Sequence, residues 1–263
     1  MRSEFADRGV VCVPRAFTED DALRIRDVVW GYASRRIGMR RDAPASWPTG
    51  WVPISWKGLK RHRALDVLWD NGGVAAALDA IFGAGGWRRP HSGPQILITV
   101  PSAGPWAMPV GWHMDCGFEQ PTWPVPAVKA FGFFGDVGPC GGGTLVLAGS
   151  HRLVDAYRAT FDEPPAGGTP NWQRFLRRHP PLAELLTASA GPDGGRSLVG
   201  TSVDIDGVPV ELVELVGRPG DVVITHLHVF HCASPNTAGG PREMIAKGIV
   251  AAGTDPRPTA PRQ

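Results

Sequence analysis

The residues most suited to chemistry lie at positions 111–118, which read GWHMDCGF. His113 and Asp115 stand two residues apart, so on an extended strand both side chains point to the same face. An imidazole and a carboxylate that converge on one point supply two ligands of a 2-His-1-carboxylate site, which holds non-haem Fe(II) and leaves coordination positions open. Because an H-x-D triplet also occurs by chance, the metal hypothesis requires a third ligand further along the chain.

Three histidines compete for the role of third ligand within positions 221–231, which read DVVITHLHVFH. If one strand runs through the segment, His226 and His228 share a face, whereas His231 falls out of phase near the strand end. Periodicity alone does not choose among the three.

Arg242 follows His231 after a turn that contains proline, asparagine and two glycines. A turn of this length can return the chain beside its partner strand, which would bring the guanidinium close to the metal. A buried arginine needs an anionic partner, and its planar fork fits a carboxylate through two hydrogen bonds. We expect this partner to be the distal carboxylate of 2-oxoglutarate.

Composition narrows the class of protein. The chain has 263 residues, of which 43% are hydrophobic, and a net charge of +2 with both signs mixed throughout, so it shows no nucleic-acid footprint. Neither a signal-peptide core nor an apolar run of about 18 residues is present. The four cysteines form no C-x-x-C pair, which argues against a zinc finger or a disulfide framework. We expect a cytoplasmic monomer or homodimer that acts on a small molecule, without nucleic-acid or membrane partners.

Helical patterns are concentrated before position 93. Thr18 is typical of a helix N-cap, and the apolar spacing that follows predicts a helix to about Arg36. A second helix is predicted over residues 64–82, with a weak point at Gly72-Gly73. Residues 155–196 are predicted to be a helical insertion that prolines interrupt.

Short strands with turn signals between them dominate the rest of the chain. They are predicted within residues 5–14, 95–100, 127–135, 143–148, 197–204, 209–216, 221–225 and 244–250. Helices followed by many such strands indicate a mainly β protein, with an antiparallel jelly-roll core at about 94–252 and helical support at about 1–93. We expect one domain over residues 1–263, with a disordered tail from Thr254.

Together these motifs resemble the phytanoyl-CoA dioxygenase (PhyH)-like family of Fe(II)/2-oxoglutarate-dependent oxygenases. The resemblance rests on His113-x-Asp115, His231 and Arg242, and on GGGTLVLAGSH at positions 141–151. The latter matches the family's N-G-x-x-x-x-x-P-G-S-H segment, with Ala148 where proline is usual. The opening, DRGVVCVPRAFTEDDALRIRD, is also similar to the family's first strand and helix. The likeness covers most of the chain outside residues 38–63 and 155–196.

The resemblance implies a double-stranded β-helix of the cupin-like type. Iron would be held by His113, Asp115 and His231, with 2-oxoglutarate chelating it and Arg242 binding the far carboxylate. Family members use three further positions near 2-oxoglutarate, which correspond here to Gln95, Phe131 and Thr144. His226 and His228 would then be core or supporting residues, and His151 of the G-S-H motif a structural one.

The implied activity is that of a dioxygenase that uses Fe(II), 2-oxoglutarate and dioxygen to hydroxylate a C–H bond or to carry out a related desaturation or oxidative cyclisation. In the family's halogenases a small residue replaces the carboxylate, so Asp115 argues for these oxidations. The alternatives are a non-oxidative metal-containing jelly-roll binding protein and a zinc hydrolase.

The substrate is less well defined by the sequence. The Gly/Ala/Arg-rich composition is typical of high-GC bacteria, in which such enzymes often tailor secondary metabolites such as antibiotics. Tryptophans near the predicted site offer flat faces to sugars or ring compounds. Trp47, Trp51 and Trp56 with the basic residues 57–63 form either a substrate lid or a packed loop. The basic residues 57–63 could also bind the phosphates of coenzyme A, so an acyl-CoA is an alternative substrate.

Overall fold

Two antiparallel β-sheets form the centre of the computed structural model, which describes residues 1–49, 52–165, 169–187 and 193–254. The larger sheet contains β1 (Val10–Val13), β2 (Gln95–Thr99), β3 (Ala127–Phe133), β7 (Val222–His226) and β9 (Arg242–Val250). Its spatial order is β1-β7-β3-β9-β2. The smaller sheet contains β4 (Thr144–Ala148), β5 (Ser202–Ile205), β6 (Val208–Glu214) and β8 (His231–Ala233). Its order is β5-β6-β4-β8. The predicted jelly roll is confirmed.

Helices cover the outer face of each sheet. Those beside the larger sheet are α1 (Arg2–Arg8), α2 (Glu19–Ile37) and α3 (Gly72–Phe82). Those beside the smaller sheet are α4 (Ser150–Arg158), α5 (Thr169–Arg178) and α6 (Pro180–Thr187). Short 3₁₀ helices occur at Pro44–Ser46, Trp56–Leu59, Arg63–Leu68 and Arg196–Leu198. No helix within the described ranges is long and apolar enough to span a membrane.

Strand alternation decides which side chains face the space between the sheets. On β9, Met244 and Ala246 pack into the apolar cluster between the two sheets, whereas Ile245 and Ile249 pack against the helices. Arg242 has the same parity as Met244, so its guanidinium points between the sheets. On β8, His231 lies opposite Val146 of β4, another residue of the inner cluster, and therefore also points inward.

A buried carboxylate with three hydrogen bonds fixes the start of β9 from its helix-facing side. Glu243 is 1% exposed; its carboxylate accepts hydrogen bonds from Trp30 Nε1 at 2.5 Å and from Arg41 Nε and Nη2 at 2.8 and 2.9 Å. A Cβ at Gly135 would collide with this carboxylate, so glycine is required there. Because Glu243 is adjacent to Arg242, this contact also fixes the backbone from which the inward guanidinium extends.

The predicted first helix is confirmed in detail. Thr18 and Asp21 form a reciprocal capping box at the start of α2, and Gly38 ends the helix in the left-handed conformation. The prediction of one helix over residues 64–82 is wrong. A 3₁₀ helix ends at Leu68, and Asn71 then caps α3 by accepting a hydrogen bond from the Val74 N–H at 2.8 Å. The two glycines open the second helix instead of weakening one continuous helix.

Three other boundaries differ from prediction. Residues 2–8 form α1, which buries Phe5, so the first strand is limited to β1. The strand predicted from residue 197 begins at Ser202, because the Asp193 carboxylate accepts hydrogen bonds from two N–H groups of the preceding 3₁₀ turn. The helical insertion starts earlier than predicted, with α4 at Ser150, two residues after the end of β4. The tail beyond Thr254 and the residue Trp51 lie outside the described residues, and the single domain stays a prediction.

We predict that the buried histidines make the fold sensitive to acid. Burial lowers the pKa of His151 and of His228 to about 4, and lowers that of His226 well below the usual 6.5. Below about pH 6.5 the unfolded chain binds protons that the folded chain does not. The free energy of unfolding should therefore decrease as pH falls towards 4, by up to roughly 1.4 kcal/mol per pH unit for each histidine.

Urea denaturation between pH 7.5 and 4.5 measures this slope. Replacement of an exposed histidine in His91→Gln serves as the matched control and should leave the slope unchanged. A free energy of unfolding that stays constant from pH 6.5 to 4.5 would contradict the expected linkage.

Candidate metal centre

A short antiparallel bridge brings the H-x-D segment to the start of β8. The N–H of His113 donates to the His231 carbonyl at 3.0 Å, and the N–H of His231 donates to the His113 carbonyl at 2.9 Å. Two residues on, the Asp115 N–H donates to the Leu227 carbonyl at 3.2 Å. The segment is thus anchored to the connection between β7 and β8.

His113, Asp115 and His231 form a group that could hold a metal ion. Their candidate ligand atoms all lie within 4.8 Å of one another. The two imidazole centroids are 4.4 Å apart, and His231 Nε2 is 3.6 Å from Asp115 Oδ2. Two nitrogens and one carboxylate oxygen at such spacing are the donor set of a 2-His-1-carboxylate iron site.

Backbone carbonyls orient both imidazoles in the same way. His113 Nδ1 lies 2.8 Å from the Gly111 carbonyl oxygen, and His231 Nδ1 lies 3.1 Å from the Val229 carbonyl oxygen. Each Nδ1–H therefore donates to the residue two positions earlier, which leaves the Nε2 lone pair free for a metal. Nε2 of the buried His231 has no hydrogen-bond partner among the described residues, as expected for an atom that awaits a ligand.

Lys129 holds the other oxygen of the carboxylate. Its Nζ donates to Asp115 Oδ1 at 2.9 Å, so Oδ2 is directed towards His231. Burial raises the pKa of Asp115, but the opposing effects of His231, Lys129 and His113 bring it below its usual value. Burial lowers the pKa of His231 to about 4. A charged carboxylate beside neutral imidazole matches the protonation that metal binding requires.

His226 and His228 are held away from this group. β7 ends at His226, and strand alternation puts this side chain with Ile224 on the helix-facing side. His226 Nε2 bonds the Thr122 carbonyl at 3.0 Å, and His228 Nε2 the Gly117 carbonyl at 3.3 Å. The expectation that one strand carries both on one face is wrong, because the chain turns after His226. Of the three histidines, His231 is the one that meets Asp115.

Arg242 is a buried cation without a counter-charge among the described residues. It is 5% exposed, and its Nη1 donates to the Gly142 carbonyl at 2.8 Å, while Nε has no hydrogen-bond partner. Burial lowers its pKa to about 10. Thr99 pairs directly with Arg242 across β2 and β9, and its buried hydroxyl likewise has no partner. Together the two side chains offer unused donors to an anion.

The other predicted 2-oxoglutarate positions occupy different places. Phe131 is buried, and its ring centroid is 6.4 Å from the ring centroid of His231. Lys129 Nζ lies 5.7 Å from the Phe131 ring centroid. Thr144 is buried opposite Ala233, two residues past His231. Gln95 lies at the exposed start of β2 and lines a large cavity.

The sequence interpretation did not identify Thr99 or Lys129. The available signal for Lys129 was a single charge inside the otherwise apolar strand AVKAFGF. For Thr99 it was a polar residue in phase with Gln95 on β2.

The cavity beside Asp115 has a volume of about 1240 Å³. The loop predicted as a lid contributes Trp56, Lys57 and Lys60 to its lining. Trp47 instead packs against the helical core and donates its Nε1–H to the Arg40 carbonyl. The lid hypothesis therefore applies to the part of the loop that starts at Trp56.

Comparison with known proteins identifies the family. The model of the phytanoyl-CoA dioxygenase (PhyH) family matches residues 7–244, and the chain belongs to this family. It is therefore a non-haem oxygenase that depends on Fe(II) and 2-oxoglutarate, with dioxygen as the usual co-substrate. Membership favours this class over the zinc hydrolase and the non-oxidative binding protein. No curated protein sequence matches the chain.

Solved structures share the fold at low sequence identity. AviO1 from Streptomyces viridochromogenes has a TM-score of 0.57 and 16% identity, over 97% of this chain and 96% of AviO1. HygX from Streptomyces hygroscopicus, with nickel and 2-oxoglutarate bound, has a TM-score of 0.53 and 15% identity, over 96% and 87%. The epimerase SnoN, in complex with Fe3+, alpha ketoglutarate and nogalamycin RO, has a TM-score of 0.52 and 16% identity, over 95% and 81%.

We predict that a divalent metal ion stabilises the folded chain through the His113–Asp115–His231 group. Nickel(II) at about 100 times its dissociation constant should add about 2.7 kcal/mol to the free energy of unfolding. In Asp115→Asn the added stability should be largely lost, because the amide cannot supply the anionic ligand. Thermal denaturation with and without nickel measures the effect. Replacement of the exposed His91 by Gln is the control, and equal stabilisation of Asp115→Asn and wild type would contradict the assignment.

Proposed function

We propose that the protein hydroxylates a small molecule, or desaturates or cyclises it oxidatively, at an iron held by His113, Asp115 and His231. Arg242 binds the distal carboxylate of 2-oxoglutarate in this proposal. The observation that carries it is that two buried nitrogen atoms between the sheets have no hydrogen-bond partner among the described residues. The His231 Nε2 lacks a partner, and so does Nε of the buried Arg242 cation. A metal ion would bind His231 Nε2, and a dicarboxylic acid bound to that metal would accept a hydrogen bond from Arg242 through its far carboxylate.

The chain's side chains have separate tasks around these reactants. When bound, iron with 2-oxoglutarate and dioxygen supplies the oxidising equivalents for a C–H bond, and succinate and carbon dioxide are released. Lys129 keeps one oxygen of Asp115 directed away from the imidazoles, and the two carbonyl contacts hold the histidine rings in position. Phe131 packs an apolar edge against His231, which helps to exclude water from the ligand that is most buried.

Thr99 is a further candidate for the carboxylate of 2-oxoglutarate. Directly paired residues on neighbouring strands project to the same face, so its hydroxyl and the Arg242 guanidinium are neighbours. Thr144 begins the strand that follows Gly142, whose carbonyl accepts from Arg242. Both hydroxyls are compatible with the carboxylate site, while Gln95 belongs to the substrate cavity.

The substrate proposed here is a secondary metabolite. Support comes from the cavity, whose volume exceeds that of most drug-sized sites. SnoN, a structural neighbour, holds nogalamycin RO in its crystal structure. We also propose a cytoplasmic location, a monomeric or homodimeric state, and no nucleic-acid or membrane partner, as the composition suggests.

Replacing Arg242 tests the binding of 2-oxoglutarate. With Fe(II), ascorbate and dioxygen, wild type should slowly form succinate without substrate. In Arg242→Ala the 2-oxoglutarate concentration for half-maximal rate should rise by roughly 100-fold, because a charge-assisted hydrogen-bonding partner is lost. The exposed Arg177→Ala on α5 is the charge-matched control. Equal 2-oxoglutarate dependence in wild type and Arg242→Ala would reject the role of the arginine.

Comparing three histidine variants tests the choice of ligand. His231→Ala should abolish iron-dependent succinate formation, whereas His226→Ala and His228→Ala should retain part of it, since their rings bond backbone carbonyls outside the metal group. Circular dichroism establishes which variants are folded, and iron content by mass spectrometry is a second readout. Loss of bound iron in folded His226→Ala, with iron retained in His231→Ala, would mean that the third ligand is wrong.

A further inference from the structure

All the lysines of this chain line one cavity. The sequence has 27 lysines and arginines, of which four are lysines: Lys57, Lys60, Lys129 and Lys247. Each of the four lines the 1240 Å³ cavity beside Asp115, although they come from three separate parts of the chain. No arginine of the described residues lines it. Among the described residues, lysines line the cavity and arginines lie outside its lining.

Backbone contacts hold three of these lysines near one another. The Gly93 N–H donates to the Lys60 carbonyl at 2.6 Å, and a Cβ at Gly93 would lie 2.5 Å from that oxygen. The neighbouring Ser92 accepts a hydrogen bond from Lys247 Nζ at 2.9 Å. Lys57 lies on the 3₁₀ helix Trp56–Leu59, and Lys60 is the residue that directly follows this helix. The loop that carries Lys57 and Lys60 is therefore attached beside the strand that carries Lys247.

Among the described residues, no carboxylate balances the charges of these three lysines. Asp115 is the one carboxylate among the cavity-lining residues, and its ion pair is with Lys129. Lys57, Lys60 and Lys247 have no ion pair to any described carboxylate. Burial lowers the pKa of Lys247, and the nearby Lys60 charge lowers it further. An anion bound between like charges that the fold brings together reduces their mutual repulsion.

The number of unpaired charges indicates which anion fits. Lys57, Lys60 and Lys247 bring three ammonium groups to one cavity, and such compact point charges can approach a tetrahedral phosphate from several sides. A phosphate ester carries a charge of about −1.5 to −2 near pH 7, whereas a carboxylate carries a single negative charge. Three unpaired lysines therefore favour a phosphate over a single carboxylate.

We propose that the cavity binds a substrate that carries a phosphate group, held by Lys57, Lys60 and Lys247, with its oxidised carbon directed towards Asp115. This inference rests on the proposed function, since it names the substrate class of the same site. Lys129 stays with Asp115. The shared chemistry is a phosphate ester, which a sugar phosphate and a nucleotide both supply.

Isothermal titration calorimetry on protein loaded anaerobically with Fe(II) and 2-oxoglutarate tests the proposal. Glucose 1-phosphate and ADP are the probes, with glucose, glucuronic acid and adenosine as partners that lack the phosphate. We expect the phosphorylated probe of at least one pair to bind at least about tenfold more tightly than its partners. Tighter binding of ADP points to a nucleotide substrate, and tighter binding of glucose 1-phosphate to a sugar phosphate.

Charge variants locate the site. Lys60→Gln and Lys247→Gln should each weaken binding of the phosphorylated probe by about tenfold, and Lys60→Arg should retain most of it. Arg61→Gln removes one neighbouring charge outside the cavity lining and should bind as wild type does. The proposal is overturned if neither phosphorylated probe is preferred over its partners, or if Lys60→Gln and Lys247→Gln bind as Arg61→Gln does.

Succinate formation by the wild-type enzyme without substrate separates this proposal from the oxygenase assignment. If wild type forms no succinate but binds phosphate through these lysines, the oxygenase assignment fails and the phosphate site stands. If succinate forms but the phosphorylated probes show no preference, the phosphate proposal fails alone.

Discussion

The two-residue bridge between His113 and His231 is the contact on which the site depends. It joins a segment without regular structure to the first residue of β8, just after the chain has crossed from the larger sheet to the smaller one. Each imidazole then bonds a carbonyl two residues earlier. The positions of the metal-facing nitrogens therefore follow from backbone pairing, without long side-chain networks.

The interior between the sheets carries a positive charge, that of Arg242, which no carboxylate of the described residues compensates. Arg242 faces inward without a carboxylate, while its neighbour Glu243 faces outward and is fully bonded to Trp30 and Arg41. Leaving a buried cation unpaired lowers the stability of the fold unless an anion arrives. The contrast between adjacent residues indicates that the inward charge serves a ligand, since the chain satisfies a buried charge fully where the role is structural.

Much of the site could be predicted because its signals are local. H-x-D spacing, an arginine after a returning turn, and short alternating strands are visible in the sequence, and the jelly roll followed from them. The break after His226 could not be read, because an apolar run with three histidines fits one strand as well as two. Thr99 was not found for another reason: its proposed role depends on pairing with Arg242, and register between distant strands is not encoded in either segment alone.

The break in the predicted second helix and the positions of the lysines also show where local sequence patterns fail to predict the structure. Asn71 is a residue type that often caps a helix, but the helical spacing of the apolar residues around it favoured one continuous helix. No local pattern places Lys57, Lys129 and Lys247 together, since they come from a loop, an inner strand position and an outer one. Their meeting at one cavity requires the tertiary fold, whereas their type is already visible in the composition as a scarcity of lysine among many arginines. Composition and fold together therefore say more about the ligand than either does alone, because the few lysines of the chain all line one cavity.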